Sequence, residues 1–398
     1  MSRVSHRIDR IDTTFDNPNL APDAGLILAG TLMSRLGLEA LINAWVRTGS
    51  SRPGRKVLTV VSAMLAGATH IDHVDILRAG ATAEVLPHRV MAPSTIGTFL
   101  RAFTFGHVRQ LDAVASRALA RAWRFGAGPG RGEAVVVDLD STICEVHGKK
   151  KQGAAYGYTR KLGYHPLLAT LAASSEIIMC RMRKGSANTA RGVCRFVDEL
   201  VAVLARAGAD TGKLTVRADS GFWSWKLVDR LDAHGARWSI TVRNIPAVHA
   251  AISRIPEQAW VDIGYTDSGE AQVASTTYTT GQGRKQRTVR LVVRRTRLTD
   301  PTQRALWPNW RYHSFITNIA TDVVNLDAFH RQHATVELNI RDLKEGTGAE
   351  HCPSGHYAAN AAWLACAVLA HNVGIWTHRL GNSDDTPVTG RTRRRNRY

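Results

Sequence analysis

Acidic residues are in short supply. The chain of 398 residues carries 33 Asp and Glu against 52 Lys and Arg, a formal charge of +19 at pH 7. An excess of that sign favours a polyanionic partner, and nucleic acid is the commonest. Cysteine is scarce as well. Cys144, Cys180, Cys194, Cys352 and Cys366 form an odd, scattered set, which argues against a disulfide framework. No uninterrupted apolar run reaches the roughly 18 residues of a membrane span, so no membrane partner is expected. Residues Met1 to Asp23 are polar and of mixed charge, without the apolar stretch of a secretory leader. The expected setting is the cytoplasm, beside the nucleoid. A hydrophobic content of 44% excludes wholesale disorder, and the length allows two or three domains with cores of their own.

What is present changes character along the chain. Residues 1–20 read as a flexible arm. Helical spacing of apolar residues predicts a helix over 24–46, a second over 57–68, and a third that Ser94 or Thr95 caps and that runs to Phe103. A fourth spans 108–125 and interleaves Arg109, Arg117, Arg121 and Arg124. Four short helices with basic faces suit a helical DNA-binding domain over 21–127; the plainer reading is a scaffold that packs on the rest of the chain. Gly126 to Gly132 is a linker by composition.

From there strands and helices alternate. Ala134–Asp140, 167–172 and 177–182 read as strands, 191–207 as a helix, 214–219 as a strand, 225–234 as a helix and 238–242 as a strand. This order is mixed α/β. Residues 244–311 are polar and rich in Thr and Arg, and read as an inserted β-rich lobe. A strand at 312–318, a helix over 326–345 and an apolar helix over 360–376 return to the core. The tail 379–398 ends in five Arg (391, 393, 394, 395 and 397), an electrostatic feature.

Three acids stand where geometry lets carboxylates converge. The strand ending in Asp138-Leu139-Asp140 and the strand ending in Asp219 can lie side by side, and a helix carrying Glu337 can pack against that edge. Three carboxylates at one point repel one another and call for divalent cations. Hard oxygen donors select Mg²⁺, or Mn²⁺, over zinc. Two such ions about 4 Å apart activate a water or a 3′-OH and stabilise the leaving oxygen of a phosphodiester. Along the Glu337 helix, His330, His333, Glu337, Arg341 and Lys344 fall at spacings that share one face. That face offers an acid for metal and basic groups for phosphate. The bland alternative is a solvated charged stripe.

The segments Asp138-Leu-Asp-Ser-Thr142, Gly148-Lys-Lys-Lys-Gln-Gly-Ala-Ala155, Gly163-Tyr-His-Pro-Leu167 and Arg217-Ala-Asp-Ser-Gly-Phe222, together with the Glu337 helix, resemble a DDE-type transposase of a bacterial insertion sequence, from the cut-and-paste branch. The resemblance covers about residues 20–378. It implies an RNase H-like catalytic core with a mixed sheet over 133–243 and 312–378, an N-terminal helical domain, and a β-rich insertion before the catalytic Glu helix. It further implies two Mg²⁺ ions, a catalytic and metal-binding triad, and binding to double-stranded DNA at the element's terminal inverted repeats and at the target, as a homodimer in the DNA complex. In that family a small residue and Thr come after the first acid, which favours Asp140 over Asp138; Asp219 matches the second acid and Glu337 the third. The family's Glu helix carries Tyr, Arg, Glu and Lys. Here His330 and His333 stand at the Tyr and Arg positions, while Glu337 and Lys344 match.

Two other readings compete. Asp138-Leu139-Asp140-Ser141-Thr142 also resembles the D-x-D-x-T motif of haloacid-dehalogenase-like phosphatases, with Asp138 as nucleophile. A non-catalytic DNA-binding protein is the other. Trp223, Trp225 and Trp260 are candidates for stacking on unpaired bases, against ordinary packing. His351-Cys352-Pro353-Ser354-Gly355-His356 hints at zinc but lacks a second ligand pair.

Overall fold

Gly37 takes a left-handed conformation (φ 61°) and divides the first expected helix in two, α1 (Leu26–Arg35) and α2 (Leu38–Trp45). The computed structural model describes residues 17, 19–130, 132–157, 159–264, 269–281, 283, 286–298 and 310–381. Most of the expected arm and nearly all of the basic tail lie outside them. Helix α3 (Pro53–Leu65) and helix α4 (Pro93–Arg101) both begin with proline at the first helical position, where its fixed φ suits the turn and its missing N–H costs nothing. The expected Ser94 or Thr95 cap is therefore not made; extended Ala92 precedes α4 without a side-chain bond. Helix α5 (Phe105–Ala122) does carry a cap, Thr104 and His107 bonding each other's backbone reciprocally.

After the linker come β1 (Val136–Ser141), β2 (Cys144–Glu145), β3 (Ala155–Tyr156), β4 (Leu162–Tyr164), β5 (Leu167–Leu171), β6 (Ile177–Arg181), α6 (Val193–Ala207), β7 (Thr215–Ala218), α7 (Trp225–Ala233) and β8 (Arg237–Val242). Next are α8 (Pro246–Ile252), β9 (Val261–Asp262), β10 (Gly269–Thr280), β11 (Arg287–Leu298), β12 (Arg311–Thr317), α9 (Val323–Arg331), α10 (Thr335–Thr347) and α11 (Tyr357–Gly381). The main sheet runs β6-β5-β1-β7-β8-β12-β11-β10-β9. Strands β1, β5 and β6 pair antiparallel, while β7 and β8 join β1 in parallel. Three antiparallel strands and then two parallel ones is the order and sense of an RNase H-like core. The fold is mixed α/β, as expected.

Two expectations are corrected. The β-rich insertion is not a separate lobe. Strand β12 pairs with β8 on one side and β11 on the other, so β10 and β11 extend the main sheet itself. Nor do the N-terminal helices build a core of their own. The chain's last helix, α11, packs on α1, α3, α4 and α5 and also on β6, and one apolar cluster runs from Leu26 through Val137 and Leu200 to Trp376. Buried Glu176, at the β5–β6 turn, ties this junction. Its Oε1 accepts from Trp123 Nε1 (2.9 Å) and Trp376 Nε1 (2.5 Å). Helix α11 is long and apolar enough to cross a membrane by length and composition, but 83% of its apolar window is buried inside the protein, the position of a core helix.

Candidate active site

Parallel pairing of β1 with β7 sets Asp138 opposite Arg217 and Leu139 opposite Ala218. The residues that come next are both acids, Asp140 still within β1 and Asp219 just past the end of β7. Continued past that end, the same register brings Asp219 level with Asp140, two positions beyond Asp138 and Arg217, where side chains return to the same face of a strand. Both are half-buried. The Ser141 N–H donates to Asp140 Oδ1 at 2.6 Å, and the Gly221 N–H to Asp219 Oδ1 at 2.9 Å, fixing each carboxylate in its turn.

Burial pushes Asp140 up to about 6, against the lowering effect of the Ser141 N–H; Asp219 and Glu337 raise it further and His333 opposes them. Asp219 and Glu337 thus both stand near enough to Asp140 to act on its charge. Glu337 itself sits in the first turn of α10 and is exposed, where the unsatisfied N–H groups of a helix start favour an acid.

The rung below is structural. Asp138 is completely buried and receives Arg217 Nε (2.7 Å) and Nη2 (2.8 Å) as a fork, with His333 Nδ1 at 2.8 Å. Its carboxylate is thus fully engaged. Asp138 is not placed to replace Asp140 as first acid, and it is not placed to attack phosphorus as the phosphatase reading requires. Sequence pattern alone gives Arg217 no role. Its only signal there is a charged residue inside an apolar strand, two positions before Asp219 and therefore on its face.

The expected basic stripe is divided. A tight turn at Gln332–Ala334 separates α9 from α10, so the predicted continuous helix is broken. His330 does not face solvent for phosphate binding. Its ring stacks on Phe315 (centroids 4.0 Å, 14° apart), and its Nδ1 and Nε2 meet Ser239 Oγ (2.6 Å) and Thr241 Oγ1 (3.0 Å). Burial, with His333, Arg217 and Arg294 nearby, pushes it down to about 3 and keeps it neutral. Lys344 Nζ donates to the Ile143 carbonyl at 2.6 Å, and Arg341 is exposed.

His165 stands in the sequence only as one member of the Gly163–Leu167 motif. It is wholly buried beside the site. Its Nδ1 meets the Ala187 carbonyl (2.8 Å), which can only accept, so Nε2 accepts from the Ser141 hydroxyl (2.9 Å). Burial keeps this ring neutral.

Other candidates are occupied by packing. Arg287 covers Trp225 at 5.0 Å, Arg295 covers Trp260 at 4.3 Å, and Trp223 meets Trp225 edge-on. Three of the four arginines expected on the last helix of this region turn inward, and Arg124 is exposed. Arg109 pairs with Asp112 and Glu199, Arg117 lies 3.5 Å over Trp45, and Arg121 donates to the Leu36 carbonyl. Cys352 is buried and its thiol pushed up, while His356 is exposed; the pair forms no zinc site.

A family model described as Transposase DDE domain group 1 matches residues 4–387. The chain belongs to the DDE transposase family. Members of this family are polynucleotidyl transferases and generally use divalent metals. Among solved structures, the transposase is similar to a piggyBac transposase synaptic complex with hairpin DNA, at 12% identity and a TM-score of 0.49, over 95% of this chain and 80% of that one. No curated protein matches it. Among the transposase's described residues, no three His, Cys, Asp or Glu side chains are drawn into a ready-made metal cage. The donor set nevertheless fits a hard divalent ion. Asp140 and Asp219 are hard oxygen donors held by backbone N–H groups at neighbouring strand ends, and burial first, then the charges of Asp219 and Glu337, raises Asp140 above the usual carboxylate range.

Proposed function

We propose that this transposase binds the terminal inverted repeats of an insertion sequence and catalyses DNA strand cleavage and strand transfer, with Asp140, Asp219 and Glu337 as its catalytic, metal-binding acids. The observation that supports the reading is that Asp140 and Asp219 come directly after the paired residues Leu139 and Ala218 of neighbouring parallel strands, with Glu337 acting on Asp140 from α10. When bound there, two Mg²⁺ or Mn²⁺ ions would neutralise the scissile phosphate and lower the pKa of the attacking water or 3′-OH. Asp140 gives up its proton to become a ligand. The backbone N–H groups of Ser141 and Gly221 hold the two strand-end carboxylates in place. Exposed Glu337 leaves that side of the site open to DNA. Attack of water on phosphorus breaks the bond to the bridging 3′ oxygen in cleavage; in transfer the freed 3′-OH attacks a target phosphodiester and displaces that target's own bridging 3′ oxygen, which leaves as a 3′-OH. The surplus of 19 positive charges suits long contact with duplex DNA. Two protomers would hold the two ends of the element, in the bacterial cytoplasm.

The test uses the full chain with duplexes from the DNA flanking its open reading frame. Mg²⁺-dependent nicking at the repeat end is expected from the native sequence and not from Asp140→Asn. Absence of cleavage with either Mg²⁺ or Mn²⁺, alongside specific binding, would favour a non-catalytic DNA-binding protein instead.

A further inference from the structure

We propose that His333 and Lys344 are positioning residues, the two ends of a clamp that fastens the Glu337 helix to β1, and not ligands of DNA phosphate. His333 Nδ1 reaches Asp138 Oδ1 at 2.8 Å; Lys344 Nζ reaches the Ile143 carbonyl at 2.6 Å. Asp138 and Ile143 bracket Asp140 along the chain, as His333 and Lys344 bracket Glu337. His333 stands in the turn just ahead of α10, before Glu337, and Lys344 stands in the later part of α10, after it. The two contacts therefore tie the helix that carries the third acid, ahead of it and behind it, to the chain on either side of the first acid.

The helix needs such a clamp. Its start comes directly after the tight turn at Gln332–Ala334, and Ala334 gives α10 no side-chain cap. Glu337 lies in that first turn, and among the described residues it makes no hydrogen bond or ion pair of its own. Asp138 is a firm anchor because Arg217 grips both its oxygens; the same guanidinium donates to the Phe329 carbonyl at 2.6 Å and lies 4.9 Å from the Phe329 ring. Arg217 thus ties β7, β1 and α9 together behind the clamp. The His333 side chain is 13% exposed and Asp138 1%, so this contact belongs to the interior, not to a DNA-facing surface.

The inference rests on the proposed function for what the clamp serves, but its test does not. In the DNA-free, metal-free full chain, amide hydrogen exchange in α10 should rise about tenfold in His333→Ala, the effect of losing one charge-assisted bond. His333→Asn, whose Nδ2 can replace Nδ1 as donor to Asp138, should keep most of the protection. Lys344→Met should loosen the later turns, and it carries the test if His333→Ala fails to fold. The dependence of DNA affinity on salt should keep its slope in these variants. Loss of a phosphate ligand lowers that slope by about one per residue, and such a drop would overturn the proposal. So would unchanged exchange in both His333→Ala and Lys344→Met. Failure of the native chain to cleave DNA would instead reject the proposed function and leave the exchange result standing.

Discussion

Asp138 and Arg217 share a rung of the parallel β1–β7 pair, and two positions further along the two chain segments stand Asp140 and Asp219. Continuing that register past the end of β7 makes a second rung of these two acids. On the first rung, a carboxylate and a guanidinium satisfy each other in the interior. At the second, two carboxylates stand without an ion pair to a Lys or Arg among the described residues. Acids crowded in that way are costly unless something positive enters from outside.

The first prediction comes from the second rung. Asp140→Asn, Asp219→Asn and Glu337→Gln should each lower Mg²⁺-dependent cleavage by on the order of a thousandfold or more, as for residues that act as a unit. Binding of the repeat duplex should persist, since the basic surface is unchanged. Gel-based cleavage and binding assays on the same preparations separate the two. Near-native cleavage by any one of the three would remove that residue from the site.

The second concerns the first rung. Asp138→Ala leaves Arg217 buried without its partner, and breaking a buried pair from one side costs about 3–5 kcal/mol. Denaturant unfolding should show a loss of that order, with part of it recovered in the double variant Asp138→Ala, Arg217→Met, where no charge is left alone. An Asp138→Ala protein of native stability but no activity would mean that Asp138, not Asp140, is the working acid.

Asp140 and Asp219 can be read from the sequence as strand-end acids because β-branched runs stop at them and small neighbours, Ser141 and Gly221, accompany them; Glu337 is read from its place on a helix. Arg217 is not. Nothing in a linear pattern says which partner an arginine inside a strand will find across the sheet. The break before α10 is equally hidden, since Gln332, His333 and Ala334 carry no glycine or proline, and the apolar spacing continues through them. His330 and His333 look equivalent on a helix of uniform pitch. The tight turn sends one onto Phe315 and the other onto Asp138. Helical periodicity likewise identifies α11 but not its neighbours, and only tertiary structure reveals it inside the N-terminal helices.

The third prediction is pH dependence. Burial, with help from Asp219 and Glu337, raises Asp140 from 3.8 to about 6 in the folded protein. The folded state therefore holds a proton that the unfolded chain releases between these values. Stability from this group is present at low pH and lost as pH rises through about 6, by on the order of 2–3 kcal/mol for the metal-free protein. Thermal unfolding in EDTA from pH 4 to 7 should show the decline, and Asp140→Asn should flatten it. Added Mg²⁺ should restore stability mainly above pH 6, because the ligand must be deprotonated. A pH-independent midpoint in EDTA would argue that Asp140 is neither buried nor crowded as described.

The last prediction concerns how the helical region and the catalytic sheet depend on each other. Trp376 is completely buried in α11 and donates from Nε1 to Glu176, which also accepts from Trp123 beyond the end of α5. Trp376→Ala removes a large core side chain, at a cost of about 3–5 kcal/mol, and deprives a buried acceptor of one donor. Because α11 touches α1, α3, α4 and α5 as well as β6, the loss should be felt on both sides of the junction. Unfolding monitored by far-UV circular dichroism and by hydrogen exchange in α3 and in β5 should shift together, as one transition. The same packing implies that residues 1–127 alone lack the helix at the centre of their core and should not form a stable fold, so DNA recognition by the helical region must be measured in the full chain. A folded 1–127 fragment, or a Trp376→Ala protein in which α3 keeps native protection while β5 loses it, would show that the helices stand as an independent domain.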